Sequence, residues 1–500
     1  MRNNIKKFLM TLGLMAIVAS CDTDYIEDPD NPVSVPSIQL FNNATYDLAW
    51  ELNDEWVAGR GTLGIAQYWA GAFYVEENLY ALRPSMIDDM WEWPYRILTD
   101  YQKVIELNED PETKALMEPY GSNNDQIQVC RMMMAYTFYK LVDTFGDVPY
   151  WSYGQRDNPD FQALSLLDEN PVPNPAYTNA SIIYQDLLAE LLDASKKINP
   201  SGSTFGTIYS ANSDWIKFAH SLRLRLAVHL LDVNPTLANN VFMESNEPAF
   251  GSNTDNALFT FGTDDITGGP WHNAFTVNAR RDFAPTLSFV DLLYNRTGPF
   301  MNSDADPRVE LYFDKRLESE EVVGIPYGFG QDIARAVVDE GIPAEHILAP
   351  DFSQPLLTYS EVEFIRSEFT DWNQMHYENG IKASMEYWRA PSDVIDNYVE
   401  SIAVASEETV LTQKYIALYM DGLEAWTEYR RTGYPNTLSV PGDTYDGTTF
   451  VTNIPGLDII PTRVIYPQNE QLLNRSNWDS ARSKLNNGDT MFSKIFWDVD

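Results

Sequence analysis

Long stretches of the chain carry apolar residues at three- and four-residue spacing, and each such stretch predicts a helix. The widest apolar arc is 131–145, where Met132, Ala135, Tyr136, Tyr139 and Val142 recur on one face and Met134, Phe138, Leu141 and Phe145 on its neighbour. A helix apolar over so wide an arc belongs between other helices. It should end at once, because Gly146 suits a positive-φ cap and Pro149 cannot continue a helix. The same reading predicts helices over 61–81, on Leu63, Ala66, Trp69, Ala70 and Phe73, and over 84–107, on Met90, Trp91, Tyr95, Leu98, Tyr101 and Ile105. It predicts another over 180–198, with Asn179 as N-cap, and one over 213–233, on Trp215, Phe218, Ala219, Leu222, Leu226 and Leu230. Further helices are expected over 356–372, 379–388 and 406–432.

Paired apolar helices with short joins predict a mainly α fold, an α-solenoid of helix pairs, although no strict period of about 34 residues is visible. The stretches 151–178, 246–284, 296–355 and 433–461 lack periodicity and are rich in Gly, Pro, Asn, Asp and aromatic residues. Loops so long in a compact protein usually carry function, and their Trp, Tyr and Phe content argues for order. No composition shift divides 37–500, which reads as one domain with long insertions.

The N-terminus reads as an address. Arg2, Lys6 and Lys7 precede a short apolar run from Phe8 to Val18, and Val18-Ala19-Ser20 sets small residues before Cys21. This predicts a leader over 1–20. The run Val-Ala-Ser-Cys resembles a bacterial lipoprotein box, which makes Cys21 the expected lipid-bearing first residue of the mature chain. Residues 21–36 are acidic and Pro-rich and read as a tether. No second apolar run of about eighteen residues follows, so the body is expected outside the bilayer. Cys130, the only other cysteine, lies in an apolar segment and reads as a small buried hydrophobe.

Charge narrows the partners. The formal net charge is −39. Binding nucleic acid needs clustered Lys and Arg, so that class is excluded, and unaided adhesion to anionic lipid is disfavoured. A neutral ligand such as a sugar is not repelled. The chain has no metalloprotease, serine-hydrolase, phosphate-loop or dinucleotide motif. His220, His229, His272, His346 and His376 show no metal-ligand spacing, and no glycosidase pair stands out among 73 acidic residues. No catalytic residue, metal or cofactor is therefore assigned.

The positive signal is aromatic abundance, with 13 Trp and 28 Tyr. Flat rings with a polar handle stack on sugar faces. Trp69, Trp91, Trp215 and Trp426 lie on apolar stripes and are expected in the core. Aromatics in irregular segments are the ligand candidates: Tyr80, Trp271 after Gly268-Gly269-Pro270, and Tyr327 and Phe329 within Gly324–Gly330.

Several runs carry a resemblance. Tyr139-Lys-Leu-Val-Asp-Thr-Phe-Gly-Asp-Val-Pro-Tyr150 resembles the hallmark of the SusD/RagB family. Tyr184-Gln-Asp-Leu-Leu-Ala-Glu-Leu191, Asp214–Ala227, Asp306-Pro-Arg308, Leu357–Glu368, Gly422–Pro435, Arg463–Glu470 and Asn474–Asn477 are similar to its later motifs, in order, and sit closest to its second SusD-like subgroup. The resemblance implies a tetratricopeptide-like scaffold with an irregular, loop-rich binding lobe. It implies a surface lipoprotein that captures nutrient, usually oligosaccharide, and serves a SusC-type TonB-dependent outer-membrane transporter. No fixed ligand motif carries over. Rival readings are a surface glycoside hydrolase, a ligand-free transporter scaffold and peptide capture. From the residues themselves, Glu428 is expected to pair with Arg431 at i,i+3, a structural role.

Overall fold

A computed structural model describes residues 35–165, 171–301, 303–315, 319–335 and 341–499. Cys21, the leader and the tether up to residue 34 lie outside the described residues. The fold is mainly helical, with short two-stranded sheets. Six helices open it: α1 (Ser37–Glu51), α2 (Pro84–Glu109), α3 (Asn123–Phe145), α4 (Ala180–Lys197), α5 (Asn212–Val228) and α6 (Pro235–Ser245). Each packs on the next in chain order. α3 is the axis of this run, and every residue from Asp125 to Phe145 is buried. Ser122 caps it by accepting from Asp125 N at 3.1 Å, and Gly146 ends it at φ 91°. Asn179 caps α4 through Ser181 N, as its sequence position suggests. Cys130 is buried on α3 as a free thiol.

Five later helices form a second group: α7 (Tyr359–Phe369), α8 (Gln374–Tyr387), α9 (Ser392–Ser401), α10 (Glu407–Ala417) and α11 (Gly422–Thr432). α7 packs on α8, on α10 and back on α5, and α11 reaches α3, so the two groups share one core.

Buried charge holds that core in register. Lys140 of α3 meets Asp421 at 3.0 Å, and His229, one residue beyond α5, meets Glu424 of α11 at 3.0 Å. Lys414 of α10 and Arg431 of α11 each reach Glu428 at 2.8 Å, and Arg431 also holds Glu368 of α7 at 2.7 Å. Arg225 of α5 pairs with Glu361 of α7. Lys140, Arg225, Glu361, Glu368, Glu424, Glu428 and Arg431 fall within the SusD-type runs read from the sequence, and His229, Lys414 and Asp421 lie outside them. A buried charge is costly unless paired, so one missing partner would strand several others.

Three expected helices differ. The 61–81 stretch is a π turn at Ala58–Thr62, one helical turn at Leu63–Ile65, and then strand β1 (Trp69–Gly71). Gly59, Gly61 and Gly64 weaken a helix there, and Gln67 turns at φ 60°. The 406–432 pattern is two helices, broken where Met420 takes φ 72° and Asp421 caps α11 through Glu424 N. Leu356 and Leu357 belong to a strand rather than to α7.

The irregular stretches supply further strands: β2 (Ala257–Thr260), β3 (Phe283–Pro285), β4 (Phe313–Lys315), β5 (Gly341–Pro343), β6 (Ser353–Leu357) and a short hairpin of β7 (Thr444–Tyr445) with β8 (Thr448–Thr449). β1 pairs antiparallel with β3, β2 with β6 and β4 with β5. The β1–β3 pair sets Trp69 opposite Pro285 and Gly71 opposite Phe283. It thereby brings the loop after β1 beside the loop before β3.

Candidate ligand-binding site

At the end of β1 the chain leaves the core and exposes an aromatic rim. Ala72 N donates to Asp282 O at 2.7 Å, extending the sheet by one rung. The Asn78 side chain then folds back on Gly71, accepting from its N–H at 3.0 Å and donating to its carbonyl at 2.8 Å. This clamp closes a short loop with Phe73 and Tyr74 at its tip. Tyr74 is 55% exposed and sits at φ 61°. A left-handed backbone costs a tyrosine on the order of 1–3 kcal/mol, so the surrounding structure must impose it.

Guanidinium groups supply that surrounding. Arg60 lies 5.5 Å from the Tyr74 ring and 5.1 Å from Phe283. Arg83, the N-cap residue of α2, lies 5.6 Å from Tyr74 and 5.4 Å from Trp56. Arg335 stands 4.6 Å from Phe73. Carboxylates hold the arginines in place: Arg60 reaches Asp282 at 3.0 Å, Arg83 reaches Glu77 at 2.9 Å, and Arg280 pairs with Asp282 and lies 3.5 Å from Glu55. Burial pulls the Arg60 guanidinium below its ordinary range, against the pull of Glu77 and Asp282. Burial also lifts the Glu77 carboxyl, opposed by Arg83 and Arg60. The rim therefore offers three aromatic rings and fixed donors with little net charge, in a chain whose net charge is −39. That is the equipment for stacking and hydrogen-bonding a hydroxyl-rich molecule.

The aromatics chosen from the sequence lie elsewhere. Trp271 was expected to present its ring to solvent after Gly268-Gly269-Pro270, and it is 1% exposed. Its ring packs 5.1 Å from Trp69 and 5.5 Å from Phe275, and its N–H donates to Asn53 Oδ1 at 3.0 Å. The segment before it is tightly docked: a Cβ on Gly268 would lie 2.7 Å from the Asp264 carbonyl oxygen, a backbone atom that no side-chain rotation moves away. Tyr80 and Tyr327 do converge, 6.0 Å apart, and both lie within 6.2 Å of Phe450, as does Phe329. All three are buried in the same core as Trp271, whose ring neighbours are Trp69, Phe275 and Phe283 instead. In this structure none of the four turns a ring face to solvent. Tyr74 and Trp56 were missed, although the run Phe73-Tyr74 just past Gly71 and shortly before Arg83-Pro84 is a signal of a clamped aromatic tip.

The other chemistry-bearing cluster is interior. His229, Glu424 and Glu428 lie within ion-binding distance of one another. Lys414, Arg431 and Arg225 already neutralise those carboxylates, so the cluster acts as part of the core.

Comparison with known proteins decides the lineage. The model of a family described as SusD-like, "Starch-binding associating with outer membrane", matches residues 29–467. The chain belongs to the SusD-like family. Solved SusD homologues share the fold across almost the whole chain. One from Parabacteroides distasonis superposes with a TM-score of 0.75 at 20% identity, covering 93% of this chain and 98% of that one. One from Bacteroides uniformis gives 0.72 at 21% identity, over 92% and 99%. A SusD homologue from Flavobacterium johnsoniae, described as chitin-binding, gives 0.71 at 21% identity, over 93% and 99%. No curated protein matches the sequence. At these identities the SusD homologues establish the fold, and the ligand must be argued from the rim. Among the described residues no helix is long and apolar enough to cross a membrane.

Proposed function

We propose that this SusD-like protein binds a neutral glycan at the Tyr74 rim and is a cell-surface lipoprotein, anchored through Cys21, that hands the glycan to a SusC-type TonB-dependent transporter. The observation that carries the reading is Tyr74: an exposed ring on a strained backbone, braced by Arg60 and Arg83. A protein spends strain on an exposed aromatic where its placement matters. The family description, and the chitin-binding relative, support a glycan over other neutral ligands. The carboxylates at the rim, Glu77 and Asp282, are engaged by Arg83 and Arg60, which favours binding over acid–base hydrolysis.

The test is a glycan panel titrated by calorimetry into the chain from residue 37 onward. Tyr74→Ala should weaken binding roughly thirtyfold, the equivalent of about 2 kcal/mol, with an unchanged melting temperature. Unchanged affinity in a folded variant removes the rim from the site. New reducing ends during incubation identify a hydrolase instead, and peptide binding without glycan binding sinks the sugar reading.

A further inference from the structure

Between α1 and α2 lies an open groove of about 270 Å³, lined by Asp47, Trp50, Trp93, Arg96 and Ile97. We propose that it is a second glycan subsite, continuous with the first, so that the protein reads a chain of sugars and not a single terminal unit. The inference rests on the glycan-binding reading above.

The continuity is built into α2. Its N-cap residue Arg83 touches both the Tyr74 and Trp56 rings, and the Trp56 N–H donates to Asp89 Oδ2 at 3.1 Å. Trp93 follows Asp89 by four residues, so the two share one face of α2, and Arg96 and Ile97 continue that stripe. From Arg83 to Trp93 is about 15 Å along the helix axis at ~1.5 Å per residue, longer than one sugar ring. Tyr74 and Trp56 are thus tied to the first turns of α2 through Arg83 and Asp89, and Trp93 lies one helical turn beyond Asp89.

The groove's own chemistry fits a hydroxyl-rich ligand. Trp50 stacks on Tyr46 at 5.9 Å, which fixes its ring, and both Trp50 and Trp93 remain partly exposed. Neither indole N–H has a hydrogen-bond partner among the described residues. Among the described residues Asp47 accepts only from Asn43, at 3.1 Å, and Arg96 is held only by Glu92, at 2.9 Å, which leaves an acceptor and several donors for a ligand. A purely apolar docking surface would not pair two indoles with an accessible carboxylate and guanidinium. Stacking rings flanked by both donors and acceptors suit a sugar.

Chain length is the readout. Chito-oligosaccharides and malto-oligosaccharides, each as disaccharide and hexasaccharide, are titrated by calorimetry into wild type, Trp93→Ala, Trp50→Ala and Tyr74→Ala. Wild type should bind the hexasaccharide of its preferred series more tightly than the disaccharide. Trp93→Ala should leave the disaccharide unaffected and weaken the hexasaccharide about tenfold, erasing the gain with length. Trp93→Phe keeps a stacking face and should restore part of it, which separates lost stacking from misfolding. A gain with length that survives both Trp93→Ala and Trp50→Ala overturns the second subsite, while loss in Tyr74→Ala alone leaves the capture reading standing. No glycan binding in wild type overturns both.

Discussion

His229 shows how the core uses charge. It is fully buried, with Glu424 at 3.0 Å and Glu428 at 3.4 Å from Nε2, and Asp143 at 3.5 Å and the Tyr184 hydroxyl at 3.0 Å from Nδ1. Burial alone would push its pKa down. Glu424, with Glu428 and Asp143, outweighs burial and lifts it from 6.5 to about 9. Burial likewise raises Glu424, but Arg225 and His229 bring it from 4.5 to about 2. Because the folded His229 holds its proton more tightly than the unfolded one, its contribution is complete below pH 6.5 and is lost as pH rises through 9. The Glu424 contribution is complete above pH 4.5 and is lost as pH falls through 2. The melting temperature should therefore decline between pH 6.5 and 9. His229→Gln should lower it throughout, since breaking a buried ion cluster costs about 3–5 kcal/mol, and should flatten that decline. Parallel pH curves for the two proteins would show that His229 is not the titrating group.

The junction of α11 with the segment after α1 depends on one glycine. A Cβ on Gly422 would lie 2.6 Å from Leu63 N and 2.7 Å from Leu63 Cα. Both atoms are backbone, so no side-chain rotation relieves the clash. Gly422→Ala should destabilise by about 1–3 kcal/mol in denaturant unfolding, as overpacking does. Gly330→Ala, where a Cβ meets nothing within 4 Å, is the neutral control. Equal midpoints for the two variants would mean that the junction yields freely. The same junction explains where sequence reading succeeds and fails. α2, α3 and α4 were legible because their apolar residues recur at helical spacing over many turns, and in α3 and α4 also because Ser122 and Asn179 cap them, a purely local signal. The 61–81 helix was a false reading because Trp69 and Ala70 owe their burial to pairing with Pro285 and Ala284, more than 200 residues away. At the candidate site, Trp271 was expected to be exposed beside its glycines and is buried, and Tyr74 was not among the residues singled out. Trp271 packs on Trp69 and Phe275 in the core while Arg60 and Arg83 flank the Tyr74 ring at the surface, and neither set of contacts is a local pattern.

The charge of the assembled protein bears on how it stays at a membrane. Arg2, Lys6 and Lys7 all lie in the expected leader, whose removal would take the formal net charge from −39 to −42. A body so acidic is repelled by anionic headgroups. Among the described residues no membrane-crossing helix offsets that repulsion. We propose that a lipid on Cys21 carries the attachment. A single acyl chain binds only marginally and several chains hold firmly, at about 0.8 kcal/mol per buried methylene. Cys21→Ala should shift the protein from the membrane fraction to the soluble fraction in cells lacking the transporter. With the transporter present, partial retention is expected, because docking supplies a second hold. If Cys21→Ala still sediments with the outer membrane when the transporter is absent, the anchor lies elsewhere, and the leader is an ordinary export signal with a cysteine at its end.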